Sequence, residues 1–289
     1  METKTPKTTR LAHPKKSLGQ NFLTNLGVVS KIIDAGDICA DDVVLEIGPG
    51  KGVLTERLLA LARKVIAVEK DDALVAHLRE KFAAAIREGR FDLVHGDILR
   101  FDETQLSFYK HPYKLIANIP YNITGAILEK FLSSPLQPER AVLLVQKEVG
   151  ERIVAHSQPR RSDKARDKES LLSISVKVYG VPALLAKVSA GSFFPKPKVD
   201  TAIISISKIS RHFFTEQGIE EGAFFAFLRA GFAHKRKLLG GNLRGYFPTQ
   251  ETWEKAAAKA GINPKSRPEN LATINWRALF LENIQNGLL

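Results

Sequence analysis

Short apolar runs alternate with stretches of helical spacing over the first two-thirds of the chain. Val43–Glu46 is β-branched and apolar and ends in a glycine-rich turn. Gly52–Arg63 follows, with Val53, Leu54, Leu58 and Leu61 falling on one face of a helix. Val65–Val68 predicts a second strand, and Asp71–Arg87 a helix carrying Leu74, Leu78, Phe82 and Ala85. Phe91–Val94, Tyr113–Ala117 and Ala141–Val145 predict three more strands, with a helix starting near Thr124. Continuously apolar strands separated by helices indicate a parallel sheet covered on both faces. Leu172–Val178 and Ala202–Ser207 are two further β-like runs with no long helix between them. They are expected to pair as an antiparallel hairpin at the sheet edge. Beyond Lys208 the strand pattern stops, and Phe224–Phe232 and Thr252–Ala260 carry helical spacing. The expected organisation is an α/β sheet domain over 1–207, including a basic N-terminal arm, and a small helical domain over 208–289. His156–Ser170 is polar and charged and reads as a loop.

The composition suits this picture. The 289 residues are 44% hydrophobic and 26% charged, enough to bury a core. The single cysteine, Cys39, excludes an intrachain disulfide and a cysteine-based zinc site. The longest apolar runs, such as Ala141–Val145 and Ala223–Leu228, are too short to cross a bilayer. The N-terminus lacks the apolar stretch of a secretory signal. It is basic and Thr-rich, which leaves a transit peptide open beside a solvated arm. A cytoplasmic monomer is expected, with no membrane partner.

Charge changes the picture more. Lys and Arg number 43 against 31 Asp and Glu, a net charge of +12. Between Ala223 and Arg244 stand Arg229, Lys235, Arg236, Lys237 and Arg244, with no acid among them. Basic clusters bind phosphate backbones by Coulomb attraction and counterion release. A solubilising excess is the alternative.

The candidate chemistry gathers at the strand ends. Glu46-Ile-Gly48-Pro-Gly50-Lys-Gly52 closes the first strand, where backbone N–H groups and a helix N-terminus are open to a ligand. Its G-x-G-x-G spacing differs from the dinucleotide fingerprint. A purely structural turn remains the other reading. Glu69 closes the second strand and is placed to accept hydrogen bonds from both hydroxyls of a ribose, or else to cap a helix. Asp97 follows the third strand, placed for an adenine amino group or for a turn. The fourth strand ends Asn118-Ile-Pro120-Tyr121. There the Asn oxygen and a backbone carbonyl can hold a planar amine by its two N–H groups, and the aromatic ring can stack on its base.

Taken together these motifs resemble the adenine dimethyltransferases of small-subunit (16S) ribosomal RNA, the bacterial type linked to kasugamycin sensitivity. Lys15-Lys-Ser-Leu-Gly-Gln-Asn-Phe-Leu23 is similar to the family's N-terminal signature. Glu46–Gly52, Glu69, Gly96-Asp97 and Asn118–Tyr121 fall in its order. Gln146-Lys-Glu-Val149 with Glu151-Arg152, Phe193-x-Pro195-x-Pro-Lys-Val199 and Arg229…Lys235-Arg-Lys237 extend the likeness. Ile119 stands where the family often has Leu, and His156–Ser170 is longer and more charged than in relatives.

The resemblance implies a seven-stranded, Rossmann-like S-adenosylmethionine-dependent methyltransferase sheet with a small C-terminal helical domain that binds RNA. It implies dimethylation of adenine 6-amino groups in the small ribosomal subunit or its precursor during ribosome biogenesis. Asn21, Leu23, Gly48, Glu69, Asp97 and Asn118 would contact S-adenosyl-L-methionine. Asn118, Pro120 and Tyr121 would hold the target adenine, with Phe193 facing it from the other side. No metal and no covalent intermediate are expected, because the sulfonium methyl is already electrophilic and alignment is what the protein supplies. Three other readings share parts of the pattern. They are a large-subunit methylase of the macrolide-resistance type, a non-catalytic ribosome-assembly factor and an NAD-dependent oxidoreductase.

Overall fold

The structure, a computed structural model, describes residues 14–15, 19–109, 112–155, 168–234 and 236–285. The basic arm up to residue 13, Lys16-Ser17-Leu18 of the N-terminal signature, 156–167 of the charged loop, and Lys235 lie outside the described residues. Among the described residues the strands are β1 (Phe22–Leu23), β2 (Val43–Ile47), β3 (Lys64–Glu69), β4 (Phe91–His95), β5 (Tyr113–Asn118), β6 (Arg140–Gln146), β7 (Val181–Val188), β8 (Phe193–Phe194) and β9 (Thr201–Ser207). Seven of them form one sheet in the order β4-β3-β2-β5-β6-β9-β7, and β1 pairs with β8 apart from it.

The pairs β2–β3, β2–β5, β3–β4 and β5–β6 are all parallel. Every residue of β2 is buried, as is every residue of β5 before Asn118. Strands covered on both faces are apolar throughout rather than alternating, and β2 and β5 follow that rule. The covering helices are α1 (Leu26–Gly36), α2 (Val53–Leu61), α3 (Asp72–Lys81), α4 (Ala83–Arg87) and α5 (Thr124–Leu132). Val29, Ile32, Leu58 and Leu78 from these helices join Val44, Val65, Ile116 and Val142 of the sheet in one core. The single helix expected over Asp71–Arg87 is broken at Phe82, whose ring meets Phe91 edge-on at 5.3 Å.

The expected strand at Leu172–Val178 is instead a helix. After α6 (Lys147–Val154) comes α7 (Leu171–Lys177), capped by Ser170. Ser170 Oγ accepts from the Ser173 N–H at 3.1 Å, and Ser173 Oγ accepts from the Ser170 N–H at 2.7 Å. This reciprocal cap outweighs the β-branched content of the run. The hairpin partner of β9 is β7. Thr201, at the start of β9, donates to the Val188 carbonyl at the end of β7, while Gly180 lies against Ile206 at the other end, so the two run antiparallel.

The chain packs as two units, residues 1–147 with 185–205, and 148–184 with 206–289. The second holds α8 (His212–Thr215), α9 (Glu221–Gly231), α10 (Leu239–Asn242), α11 (Gln250–Lys259) and α12 (Thr273–Gln285). Its interior is aromatic: Phe280 meets both Phe224 and Phe227 edge-to-face at 5.5 Å. No helix among the described residues is long and apolar enough to cross a membrane.

Candidate active site

The strand order reverses between β3 and β5, with β2 at the switch point. In open parallel sheets a crevice forms there, outside the carboxyl ends of the strands. The cleft in this structure, about 210 Å3, opens at that place. Its floor is the turn after β2. Gly48, Gly50 and Gly52 all have positive φ, and Gly52 caps α2 in the left-handed conformation. A Cβ on Gly52 would sit 2.5 Å from the Phe82 ring, so glycine is needed for packing there. A Cβ on Gly48 would meet nothing within 4 Å; that side of the turn faces the open cleft.

Three carboxyls line the cleft in three different states. Glu46, on β2, is 1% exposed and accepts a 2.7 Å hydrogen bond from Thr55 Oγ1. Burial, helped by the charge of Glu69, pushes its carboxyl up to about 8, so it is mostly protonated at neutral pH. Glu69 is also held above the usual carboxylate range by burial, against the pull of three backbone N–H donors. Gly50 N reaches Oε2 at 3.2 Å, and Lys70 N and Asp71 N both reach Oε1 at 2.9 Å. Oε2 is therefore the less committed oxygen. Asp97 lies below the usual range, because Lys70 Nζ at 2.9 Å and Leu99 N at 3.0 Å both favour its charged form.

The Asn118–Tyr121 loop forms the opposite wall. Asn118 Nδ2 donates to the Asn21 carbonyl at 3.0 Å, so the carboxamide is fixed with Oδ1 as the acceptor uncommitted among the described residues. Asn21 thus acts through its backbone, while its side chain donates to the Gly19 carbonyl. The Pro120 carbonyl accepts from Ile123 N at 3.2 Å in the turn that leads into α5. Tyr121 lines the cleft, yet its hydroxyl is buried without a hydrogen-bond partner among the described residues. Burial and the nearby Asp200 charge push that hydroxyl up to about 12.

Leu23 lines the cleft from β1, beside Phe22, and Lys51 Nζ lies 5.0 Å over the Phe22 ring. Phe193 is not brought into the cleft. It is 4% exposed, opposite Leu23 in the β1–β8 ladder, and belongs to the main core. Three contributors escape a reading of motifs. Glu46 sits inside a recognised motif but its neutral state comes from tertiary burial. Lys70 neutralises Asp97. Asp71 is gripped by Lys15 Nζ at 3.0 Å and Gln20 Nε2 at 2.9 Å, bonds that pin the N-terminal segment beside the cleft.

In the second unit, Arg229, Arg236, Lys237 and Arg244 are all exposed, and none forms an ion pair among the described residues.

The chain matches the model of the ribosomal RNA adenine dimethylase family over residues 12–284. It is 40% identical over 273 residues to the ribosomal RNA small subunit methyltransferase A of Dehalococcoides mccartyi strain 195, covering 94% of this chain and 89% of the relative. To the protein of the same name from Clostridium botulinum strain Langeland it is 35% identical over 257 residues, covering 89% of each. Among solved structures, a dimethyladenosine transferase from Plasmodium falciparum superposes with a TM-score of 0.72 at 27% identity, covering 92% of this chain and 98% of that one. The 23S rRNA methyltransferase ErmE superposes with a TM-score of 0.70 at 26% identity, covering 92% of this chain and 100% of that one.

Proposed function

Because the chain belongs to the ribosomal RNA adenine dimethylase family, we propose that the cleft beside β2 is where its methyl transfer takes place. The enzyme is an S-adenosylmethionine-dependent methyltransferase acting on the 6-amino groups of adenines in small-subunit ribosomal RNA during ribosome biogenesis. The observation that carries the site assignment is the pinned Asn118 carboxamide, its oxygen left free among the described residues, three positions before Tyr121.

The cleft suits S-adenosylmethionine on one structural ground in particular: the space beside Gly48 is empty where a side chain would stand. Gly48, Glu69 and Asp97 would hold it, with Asn21, Leu23 and Asn118 closing the other side. When bound, the cofactor supplies a methyl group on a sulfonium, electrophilic without further activation. Glu69 Oε2 offers a ribose the acceptor that its backbone donors leave available. Asp97 accepts from an amino group once Lys70 shares or yields Oδ2.

Asn118 Oδ1 and the Ile119 carbonyl accept the two N–H groups of the target amine, so its lone pair faces the cleft. The Pro120 carbonyl, already engaged by Ile123, leaves that second role to Ile119. Tyr121 stacks on the base and offsets part of the cost of turning it out of its RNA context. That cost is of order a few kcal/mol, and a stack returns about 1–3 kcal/mol. The Tyr121 hydroxyl stays protonated, and Glu46 is largely protonated, so the amine's proton passes to water after transfer. Phe193 acts from the core, supporting Leu23, which lines the cleft. The region 1–207 carries the chemistry, and 208–289 carries RNA binding through Arg229, Lys235, Arg236, Lys237 and Arg244.

The test uses methyl-labelled S-adenosylmethionine with small ribosomal subunits purified unmodified at these adenines, followed by mapping of the labelled base. The wild-type chain should label adenine, and Asn118→Ala should label it far more slowly while binding cofactor. Label on another base, or an Asn118→Ala protein of normal rate, would overturn the assignment.

A further inference from the structure

The β1–β8 ladder pairs Phe22 with Phe194 and Leu23 with Phe193. Directly opposed residues of an antiparallel pair project to the same face, with Cα atoms about 5 Å apart. Leu23 and Phe193 turn inward to the core. Phe22 turns to the cleft that it lines. Phe194 shares the face of Phe22 but lies one strand further out, and it is 60% exposed. A phenylalanine at that exposure, beside a partly exposed Pro195 and a Val199 that is 41% exposed, leaves a sizeable apolar surface in water.

Its surroundings are basic. Lys196 and Lys198 are exposed and pair with no acid among the described residues. The segment is anchored at the rim of the sheet. Lys147 N, just past β6, donates to the Asp200 carbonyl at 3.0 Å, and Asp200 Oδ1 accepts from Ala190 N at 3.0 Å. Asp200 is also the charge that acts on the Tyr121 hydroxyl. The exposed ring and its two lysines therefore stand on a fixed loop adjoining the wall that carries Tyr121. A flat aromatic face flanked by unpaired cations is the arrangement that binds unpaired nucleotides, by stacking on the base and holding its phosphates.

We infer that Phe194 is a stacking platform for a nucleotide flanking the target adenosine, with Lys196 and Lys198 on the adjoining phosphates. The ligand is single-stranded RNA continuous with the target. The inference rests on the proposed RNA-methylating function and adds a second base-binding position to its cleft. Stacking the neighbour holds the backbone on either side of the extruded adenine. Phe194 is thus a positioning residue.

Two measurements test it on the full chain and unmodified small ribosomal subunits. In the first, p-benzoylphenylalanine is placed at position 194 and irradiated on the particle. The crosslink should map within a nucleotide or two of the methylated adenine. A crosslink to distant RNA, or to a second copy of the chain, would overturn the inference. In the second, Phe194→Ala should lower kcat/KM for the particle by about 5- to 150-fold, the equivalent of one lost stack. Cofactor affinity by calorimetry should be unchanged, and Phe194→Trp should recover activity to within about threefold of wild type because any ring can stack. Equal activity of Phe194→Leu and wild type would overturn the platform alone. A wild-type chain unable to methylate the particle would overturn the functional reading and this inference with it.

Discussion

Replacing Glu46 with Gln should flatten the pH dependence of folding without disturbing the sheet. The carboxyl is 1% exposed on the central strand, and its pKa rises from 4.5 to about 8. A carboxyl raised in the folded state holds its proton more tightly there than in the unfolded chain. Its contribution is complete below pH 4.5 and is lost as pH rises through about 8. The whole span is worth on the order of 5 kcal/mol, of which about 2.5 kcal/mol falls between pH 6 and pH 9. Gln keeps an acceptor for Thr55 Oγ1, carries the shape of the protonated acid and cannot ionise. Urea unfolding at pH 6, 7, 8 and 9 should therefore show the variant gaining on wild type by about 2.5 kcal/mol across the series. Parallel stability curves for the two proteins would refute the reasoning, because the carboxyl would then be ionised in the fold throughout.

Glu69→Ala should weaken S-adenosylmethionine binding strongly by calorimetry, since hydrogen bonds to a charged group are worth about 1.5–3 kcal/mol each; unchanged affinity would end its assignment to the ribose. Tyr121→Ala should leave cofactor binding near normal and slow single-turnover methylation steeply, with Phe193→Ala milder; a wild-type rate for Tyr121→Ala would make the ring mere packing. Tyr121→Phe removes a buried hydroxyl that has no partner among the described residues, so it should unfold at equal or higher urea, by about 1 kcal/mol, and a clear loss of stability would contradict that reading. Neutralising Arg236 and Lys237 should weaken RNA binding and flatten its salt dependence by up to about one unit of slope for each charge, leaving cofactor affinity intact.

The parallel half of the sheet is legible because β2 and β5 are covered on both faces, which leaves an uninterrupted apolar run as their signature. β7 is not, because it lies at the end of the sheet. An edge strand tolerates Pro182 and the exposed Lys187, and these break the pattern that a buried strand keeps. The misread run at Leu172–Val178 is decided by two hydroxyls, Ser170 and Ser173, that act locally in a way composition hides. In the cleft, glycine spacing and strand-end acids announce themselves because strand ends are adjacent in any parallel sheet. The protonation of Glu46, the committed oxygens of Glu69 and the inward turn of Phe193 depend on neighbours far away in sequence. Motif order therefore says which residues gather at the cleft, and packing decides what each is free to do.

The grip of the N-terminal segment on the cleft has a consequence for how this protein fails. Asn118 receives its orientation from a carbonyl 97 positions earlier, and Asp71 is held by Gln20 from 51 positions earlier. During synthesis that segment emerges before β3 and β5, and it has nothing to dock on until both have been made. It is made ahead of the strands it docks on and is seated only after them. A trypsin-like cut after Lys15 would spare the sheet and the Gln20 and Asn21 contacts, while removing the Lys15 hold on Asp71 and leaving the segment that aims Asn118 next to a free chain end. Such a clipped protein should melt like the intact one and transfer methyl groups more slowly, so a sample can pass every test of folding and still have lost activity.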